Sequence, residues 1–368
     1  MKALVAVANY PNNSGNVSLM YVHSRNRYYV AHGIDVTVLN FNTKENYIID
    51  GINVISLQSY MKSDEEYDVL ICHAANIRNH YFFLKKNGCR FRNYIFFFHG
   101  HEVLRGRKVY SKPYDFIKYS IGKKIYFKFK DIYDVFKLRI WRRFYVRNVD
   151  KSHYVFVSKW MLDEFLKWTQ VPYEKIKDVS SITYNCIGKA FEDTEYNYAS
   201  EKKYDFITIR SNLDGSKYCV DLVNDIARNN PNYRFLLVGK GRFFDYYEKA
   251  DNLEWRNQTM KHDEIIECLN ASRCALMPTR TDAQGLMMCE MASTGIPLIT
   301  SDISVCHEVF EGFPNVAFIN NDNPSVLFEK EFIRLLDEVP YQRNTKYYNS
   351  NTSRIETELI LSVCRGNK

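Results

Sequence analysis

CALMPTRTDAQGLMMCEMASTGIPLITSD, residues 274–302, decides the fold. It opens on a short apolar run, CALMP, crosses a polar loop at 279–284 and enters a helical pattern at 286–294. STGIP then turns the chain into LIT, a second apolar run. Strand, helix and strand in that order make a βαβ unit, whose strands lie parallel and are covered on both faces. The same stretch sets Asp282 eight residues ahead of Glu290 with Gly285 between them, and that spacing asks for a chemical reason.

The alternation repeats along the chain. KALVAVA, DVTVLNF, YDVLICHA, NYIFFFHG and HYVFVS read as strands in the first half, and YDFITIR, YRFLLVG, CALMPT and IPLITS in the second. Helical patterns fall at 17–32, 155–168, 219–229, 263–271 and 286–294. Two such series in 368 residues predict an α/β chain of two Rossmann-like, doubly wound parallel-sheet domains facing across a cleft. The expected division is a first domain at 1–187, a polar linker at 188–204, a second domain at 205–340, and a helical segment at 341–368 that returns to the first domain. Ligands of open parallel sheets sit beyond the carboxyl ends of the strands, so residues there carry the functional argument.

Composition narrows the class. Hydrophobic residues make up 46% and charged residues 25%, the balance of a globular chain, and no apolar run reaches the roughly 18 residues that a spanning helix needs. The N-terminus MKALVAVANYPNN reads as a first strand and turn rather than a signal peptide. Nine cysteines without a Cys-x-x-Cys argue against a disulfide framework or zinc site and fit a cytoplasmic protein. The net charge of +7 is uneven: residues 105–148 hold fourteen Lys or Arg against three Asp, leaving −4 for the rest.

Four stretches hold candidate chemistry. Around Gly285, the first amides of the following helix, at Leu286 and Met287, are unpaired donors at the positive end of the helix dipole and suit an anion. Capping is the competing reading, because Thr281 and Gln284 have the Thr-x-x-Gln spacing of a capping box. Capping would put Gly285 inside the first turn, and it gives no use to Asp282 and Glu290. Both readings stand at this point. IRSNLDGSK places Arg210 and Lys217 after a strand, where a forked and a point cation suit a pyrophosphate, against the bland reading of surface charge. FFFHGHE puts His99, His101 and Glu102 at a strand end; without a third ligand at fitting spacing, a satisfied histidine is the default over a metal site. NYPNNSGN lacks the Gly-x-Gly-x-x-Gly of a dinucleotide site, and no Asp-x-Asp occurs, so no metal is expected.

In this order the motifs resemble those of a GT-B fold glycosyltransferase of family 4 (glycosyl transferases group 1, retaining). NYPNNSGN, VAHGIDVTVLN, FFFHGHEV, YVFVSKWMLDEF, TYNCI, IRSNLDGSK, FLLVGKG and TDAQGLMMCEMASTGIPLITSD cover residues 1 to about 312. The last is the most specific, being similar to the family's Glu-x7-Glu element with its following Gly-x-Pro. The resemblance implies that Arg210 and Lys217 hold the donor's pyrophosphate. Gly285, Leu286 and Met287 would offer amides to phosphate and sugar, Glu290 would take the ribose hydroxyls, and Asp282 a hydroxyl of the transferred sugar. His99 would sit near the reacting sugar, Gly15 in the loop that closes on the phosphates, and Gly239 and Gly241 in a turn near the nucleotide. Three positions depart from the pattern. Asp282 stands where the family usually has Glu, the first loop has one glycine where two are common, and Lys217 follows Arg210 by seven residues with Tyr218 in place of Gly.

The implied activity is metal-independent hexosyl transfer from a UDP- or GDP-sugar, a substrate rather than a cofactor, to a glycan or lipid-linked acceptor in cell-surface polysaccharide or glycoconjugate biosynthesis. The basic, aromatic segment 105–148 suggests peripheral attachment of a cytoplasmic enzyme to an anionic membrane, against the reading of a solvated helix surface. Competing functions are an epimerase acting on a nucleotide sugar, a non-catalytic nucleotide-sugar binder, and nucleic-acid binding through 105–148, which lacks any recognition module.

Overall fold

The computed structural model describes all residues except 17, 119–120, 324–327, 338–341 and 366–368, and the side chains of 121, 123–128 and 328. The chain forms two compact units. The first comprises Met1–Gly106, Asp131–Cys186 and Tyr348–Lys368, and the second Arg107–Lys130 and Ile187–Tyr347.

The first unit is built on eight strands: β1 (Lys2–Val7), β2 (Asp35–Asn40), β3 (Tyr47–Ile49), β4 (Ile52–Ser56), β5 (Val69–His73), β6 (Asn93–Phe98), β7 (Ser152–Phe156) and β8 (Ser180–Ile182). They lie in the order β3-β4-β2-β1-β5-β6-β7-β8, and every neighbouring pair except β3–β4 is parallel. All six residues of β6 are buried, Asn93 and the apolar run that follows it, as a parallel sheet covered on both faces requires. The β3–β4 hairpin turns on Asp50 and Gly51, with φ of 47° and 76°, the Asp-Gly pair of a type I′ turn. The C-terminal helix Thr352–Arg365 packs on the helix Met20–Ala31 within this unit. There the Nε of Arg25 donates to both carboxylate oxygens of Glu356 at 3.0 and 2.9 Å, and Tyr29 donates to Glu356 at 2.5 Å.

The second unit holds β9 (Tyr204–Asn212), β10 (Phe235–Lys240), β11 (Leu253–Arg256), β12 (Ser272–Leu276), β13 (Leu298–Ser301) and β14 (Val316–Ile319). Their order is β11-β10-β9-β12-β13-β14, all parallel, so the direction of winding reverses between β9 and β12. That switch point is where a doubly wound sheet leaves a crevice for a ligand.

Several expectations need correction. The basic segment 105–148 does not stay in one unit: Arg107–Lys130 belongs to the second, and the long helix Ile121–Arg147 runs on into the first. Its early part is anchored by aromatic packing, with Phe116 stacked on Tyr246 at 4.5 Å and Tyr114 donating to Asp221 at 2.9 Å. Residues 119–120 of this segment lie outside the described residues. The expected linker 188–204 is part of the second unit, because its polar sequence hides anchors: Phe191 and Tyr196 are buried, and the Tyr196 hydroxyl donates to the Ser272 carbonyl at 2.7 Å. The helical pattern at 155–168 begins only at Lys159, since Val155 and Phe156 complete β7. Residue 17, the expected boundary at 340, residue 341 and the last three residues lie outside the described residues. Among the described residues, no helix is long and apolar enough to cross a membrane.

Candidate active site

Arg210 is near the end of β9, at the switch point, and is buried. Its Nη2 donates to the Pro278 carbonyl at 2.5 Å, its guanidinium lies 5.5 Å from the Tyr218 ring, and its buried Nε has no partner. Among the described residues no carboxylate pairs with it. Burial pulls its pKa down, while Cys219 and Asp282 push it back up. A buried cation without a counter-charge is costly, and an anionic ligand relieves that cost.

Beyond β12, the loop that contains Asp282 leads to the helix Leu286–Thr294. Gly285 is the N-cap of this helix, with φ 73° and ψ 61°, and no side chain caps it. The capping-box reading therefore fails: the Thr281 hydroxyl donates to the Val109 and Arg280 carbonyls at 3.1 and 2.6 Å. The mid-helix glycine penalty does not arise either, because Gly285 is outside the helix. A Cβ at Gly285 would meet the end of the Met288 side chain, and the left-handed backbone strains any other residue there, so the position favours glycine. The amides of Leu286 and Met287 have no acceptor among the described residues. One Asp282 oxygen accepts from the Ala283 amide at 2.8 Å and from Gln284 at 3.4 Å. The other lies 3.7 Å from the place of a Gly285 Cβ, so the carboxylate flanks the turn.

Lys217 is tied to the same loop through its backbone, since its carbonyl accepts from the Arg280 amide at 2.9 Å and the Thr279 hydroxyl at 3.1 Å. Its ammonium lies 4.7 Å from the Tyr218 ring and 6.0 Å from the Tyr110 ring. It lines a cavity of about 480 Å³ with Tyr110, Ser111, Asn212 and Asp214. Gly239 lies within β10, where the pairing with β9 shifts register, and Gly241 is the first residue after the strand, so only Gly241 is in the expected turn. A Cβ on Gly239 would strike the Arg210 carbonyl, and one on Gly241 would lie 2.8 Å from Asp214 Oδ1. Both glycines thus let the β10 end pack against the segment that carries Arg210.

Glu290 lies one turn into the helix, 5% exposed. Burial raises its pKa to about 7, against which the Gly188 amide, donating to Oε1 at 3.1 Å, works to lower it. Its Oε2 has no partner among the described residues. The His262 ring stands beside Gly188, 3.0 Å from where a Cβ would be, and burial lowers its pKa. Gly188 and His262 escaped the sequence reading. One is a lone glycine in a polar stretch, the other a histidine one residue before an expected helix, and neither has a spacing that marks it.

His99 and Gly15 belong to the first unit. His99 follows β6, where its Nε2 lies 3.0 Å from Nδ1 of His73 and its ring 4.8 Å from that of Tyr21. Its backbone amide donates to the Glu102 carboxylate. Burial, followed by the charge of Arg25, holds the His99 pKa well below the usual imidazole range, so the ring is neutral. Its Nδ1 is buried without a partner. His101 is 78% exposed and does not converge with it. Among the described residues, no group of three or more His, Cys, Asp or Glu is placed to hold a metal. Gly15, at φ 96°, lies in the turn after β1, where the Asn12 side chain accepts from the amides of Ser14 and Asn16, each at 3.1 Å.

With this geometry in view, residues 206–338 match the family model of glycosyl transferases group 1, which spans the second unit's sheet. Among solved structures, sucrose-phosphate synthase from Thermosynechococcus elongatus aligns over 99% of both chains, with a TM-score of 0.72 at 10% identity. The fold is GT-B. WaaG, a glycosyltransferase involved in lipopolysaccharide biosynthesis, aligns over 98% of this GT-B chain and 99% of its own, at TM-score 0.60 and 13% identity. Anabaena HepE in complex with UDP and glucose aligns over 100% and 98%, at TM-score 0.63 and 10% identity. No curated protein matches the sequence of this GT-B chain.

Proposed function

We propose that this GT-B protein is a retaining, metal-independent glycosyltransferase of family 4. In this reading it moves a hexosyl group from a UDP- or GDP-sugar to a glycan or lipid-linked acceptor at a membrane surface, in the building of cell-surface polysaccharide or glycoconjugate. The observation that carries the reading is the buried Arg210 guanidinium without a carboxylate partner, which feels the charge of Asp282 in the loop before an uncapped helix N-terminus. As the glycosidic bond breaks, negative charge grows on the leaving diphosphate. In this reading Arg210, Lys217 and the Leu286 and Met287 amides meet that charge, and preorganised charge lowers the barrier without reorganisation. Asp282 flanks the same turn and accepts a hydroxyl of the transferred sugar. Glu290, once ionised, accepts the ribose hydroxyls through its unpartnered oxygen, and the neutral His99 offers Nδ1 to the reacting sugar.

The match to the glycosyl transferases group 1 model over residues 206–338, which hold all of these residues except His99, supports the reading. A thermal-shift panel of nucleoside diphosphates and nucleotide sugars tests it. A ligand at about a hundred times its dissociation constant stabilises by roughly 2.7 kcal/mol, and Arg210→Ala should abolish the shift. If no nucleotide moves the melting temperature, or the variant responds as the parent does, the proposal falls. Diphosphate release that depends on acceptor and persists in a chelator then separates transfer from epimerisation and from metal-assisted chemistry, and the anomeric configuration of the product reports retention.

A further inference from the structure

In the first unit, the long helix turns toward solvent a face with an unusual make-up. Ile132, Tyr133 and Phe136 are 65%, 48% and 60% exposed. Steps of three or four residues along the same face lead to Arg139, Arg143 and Arg147, with Arg142 beside them, and all four are exposed. From Ile132 to Arg147 this face runs about 22 Å, at the helical rise of 1.5 Å per residue. The opposite face is core: Leu138, Trp141 and Tyr145 are buried, and the Tyr145 ring lies 5.2 Å from that of Phe96 on β6.

Local acids do not neutralise the arginines. Asp131 accepts from Arg105 at 3.0 Å, and Asp134 is buried with Lys137 at 3.1 Å. None of the four arginines has a partner among the described residues. The helix therefore carries three large apolar groups at one end of its outer face and four uncompensated positive charges at the other.

We propose that this face docks the protein on an anionic lipid bilayer. Ile132, Tyr133 and Phe136 enter the headgroup boundary, where aliphatic and aromatic side chains settle, and the arginines meet the negative surface charge. Charge complementarity selects this occupant. A second copy of the chain on the same face would gather the unpaired arginines of both copies at one contact, and a nucleic acid would leave Ile132 without a role. The proposal deepens the reading of a lipid-linked acceptor by naming the surface that holds the protein beside it. It is tested apart from that reading, since vesicle binding needs no turnover.

The test is co-sedimentation of the full chain with vesicles of phosphatidylcholine alone and of three parts phosphatidylcholine to one part phosphatidylglycerol, at low and high salt. Binding is expected to the anionic vesicles only and to weaken with salt. Arg142→Gln with Arg143→Gln should lower affinity on the order of 30-fold, at about fivefold per removed charge. These side chains are exposed, so the pair leaves the melting temperature unchanged. Phe136→Ser should weaken binding at both salt levels. Equal binding to neutral vesicles overturns the proposal, as does parental binding by the double arginine variant. So does self-association of the parent that Phe136→Ser abolishes, or tight, salt-sensitive binding of single-stranded RNA without vesicle binding.

Discussion

Glu290 offers a direct measurement of what burying a carboxyl in the candidate site costs. Its carboxyl is buried, its pKa rises from 4.5 to about 7, and a single backbone amide from Gly188 partly offsets the burial. Below pH 4.5 both the folded and the unfolded chain carry the proton, and the group contributes no difference. As pH rises further the unfolded chain ionises first, so stability falls, and the loss is complete once the folded carboxyl has ionised above about pH 7. The gap amounts to about 3 kcal/mol, at 1.36 kcal/mol per pH unit. Glu290→Gln keeps the shape and removes the titration. His262, the titratable neighbour, is present in both proteins and cancels in their difference. Guanidinium unfolding followed by tryptophan fluorescence from pH 4.5 to 8 should show the parent losing about 3 kcal/mol against the variant. A nucleoside diphosphate at pH 8 should recover part of that loss, because ribose hydroxyls donate to the ionised form. Parallel pH profiles, within about 0.5 kcal/mol, would refute the burial argument and the ribose role together.

Arg210→Ala and, separately, Lys217→Ala should each lower turnover by roughly 10²–10³, the scale for one electrostatic stabiliser; near-normal turnover in steady-state assays would remove the residue from that role. Gly285→Ala should cost about 1–2 kcal/mol in chemical denaturation for the left-handed backbone alone, with more from the collision with Met288. Its nucleotide affinity should fall as well, since the turn sets the direction of the amides that follow. Glu356→Ala should destabilise the protein by about 3–5 kcal/mol, read as a lowered melting temperature, because it leaves the Arg25 guanidinium buried without its counter-ion.

The strands that sequence exposes are the unbroken apolar runs. β1, β5, β6, β9 and β10 are buried on both faces and announce themselves by composition. β11 and β14 are four-residue strands at the ends of the second sheet, too short to stand out from their surroundings. The β3–β4 hairpin has a readable Asp50–Gly51 turn, yet its strands lack an apolar run. The candidate site was legible where one strand end and one helix start define it, as at Arg210, Asp282 and Gly285. It was not legible where a group of the candidate site depends on a contact far along the chain. The Gly188 amide reaches Glu290 across 102 positions, and no local pattern encodes that pairing. Segment 105–148 shows the same limit: its charge is obvious, but only the packing of Tyr114 and Phe116 against Asp221 and Tyr246 separates its early part from the exposed helix face.

The chain passes from one compact unit to the other after Gly106, Lys130, Cys186 and Tyr347. Neither half is therefore a continuous stretch that truncation can release. A fragment beginning at Ile187 would expose the aromatic surface that Phe116 covers, and one ending at Cys186 would leave Arg25 without Glu356. Limited proteolysis or split-gene expression should accordingly yield halves that are soluble only when both pieces are present. Exchange of the second unit between related chains would have to carry residues 107–130 along with everything from 187 to 347.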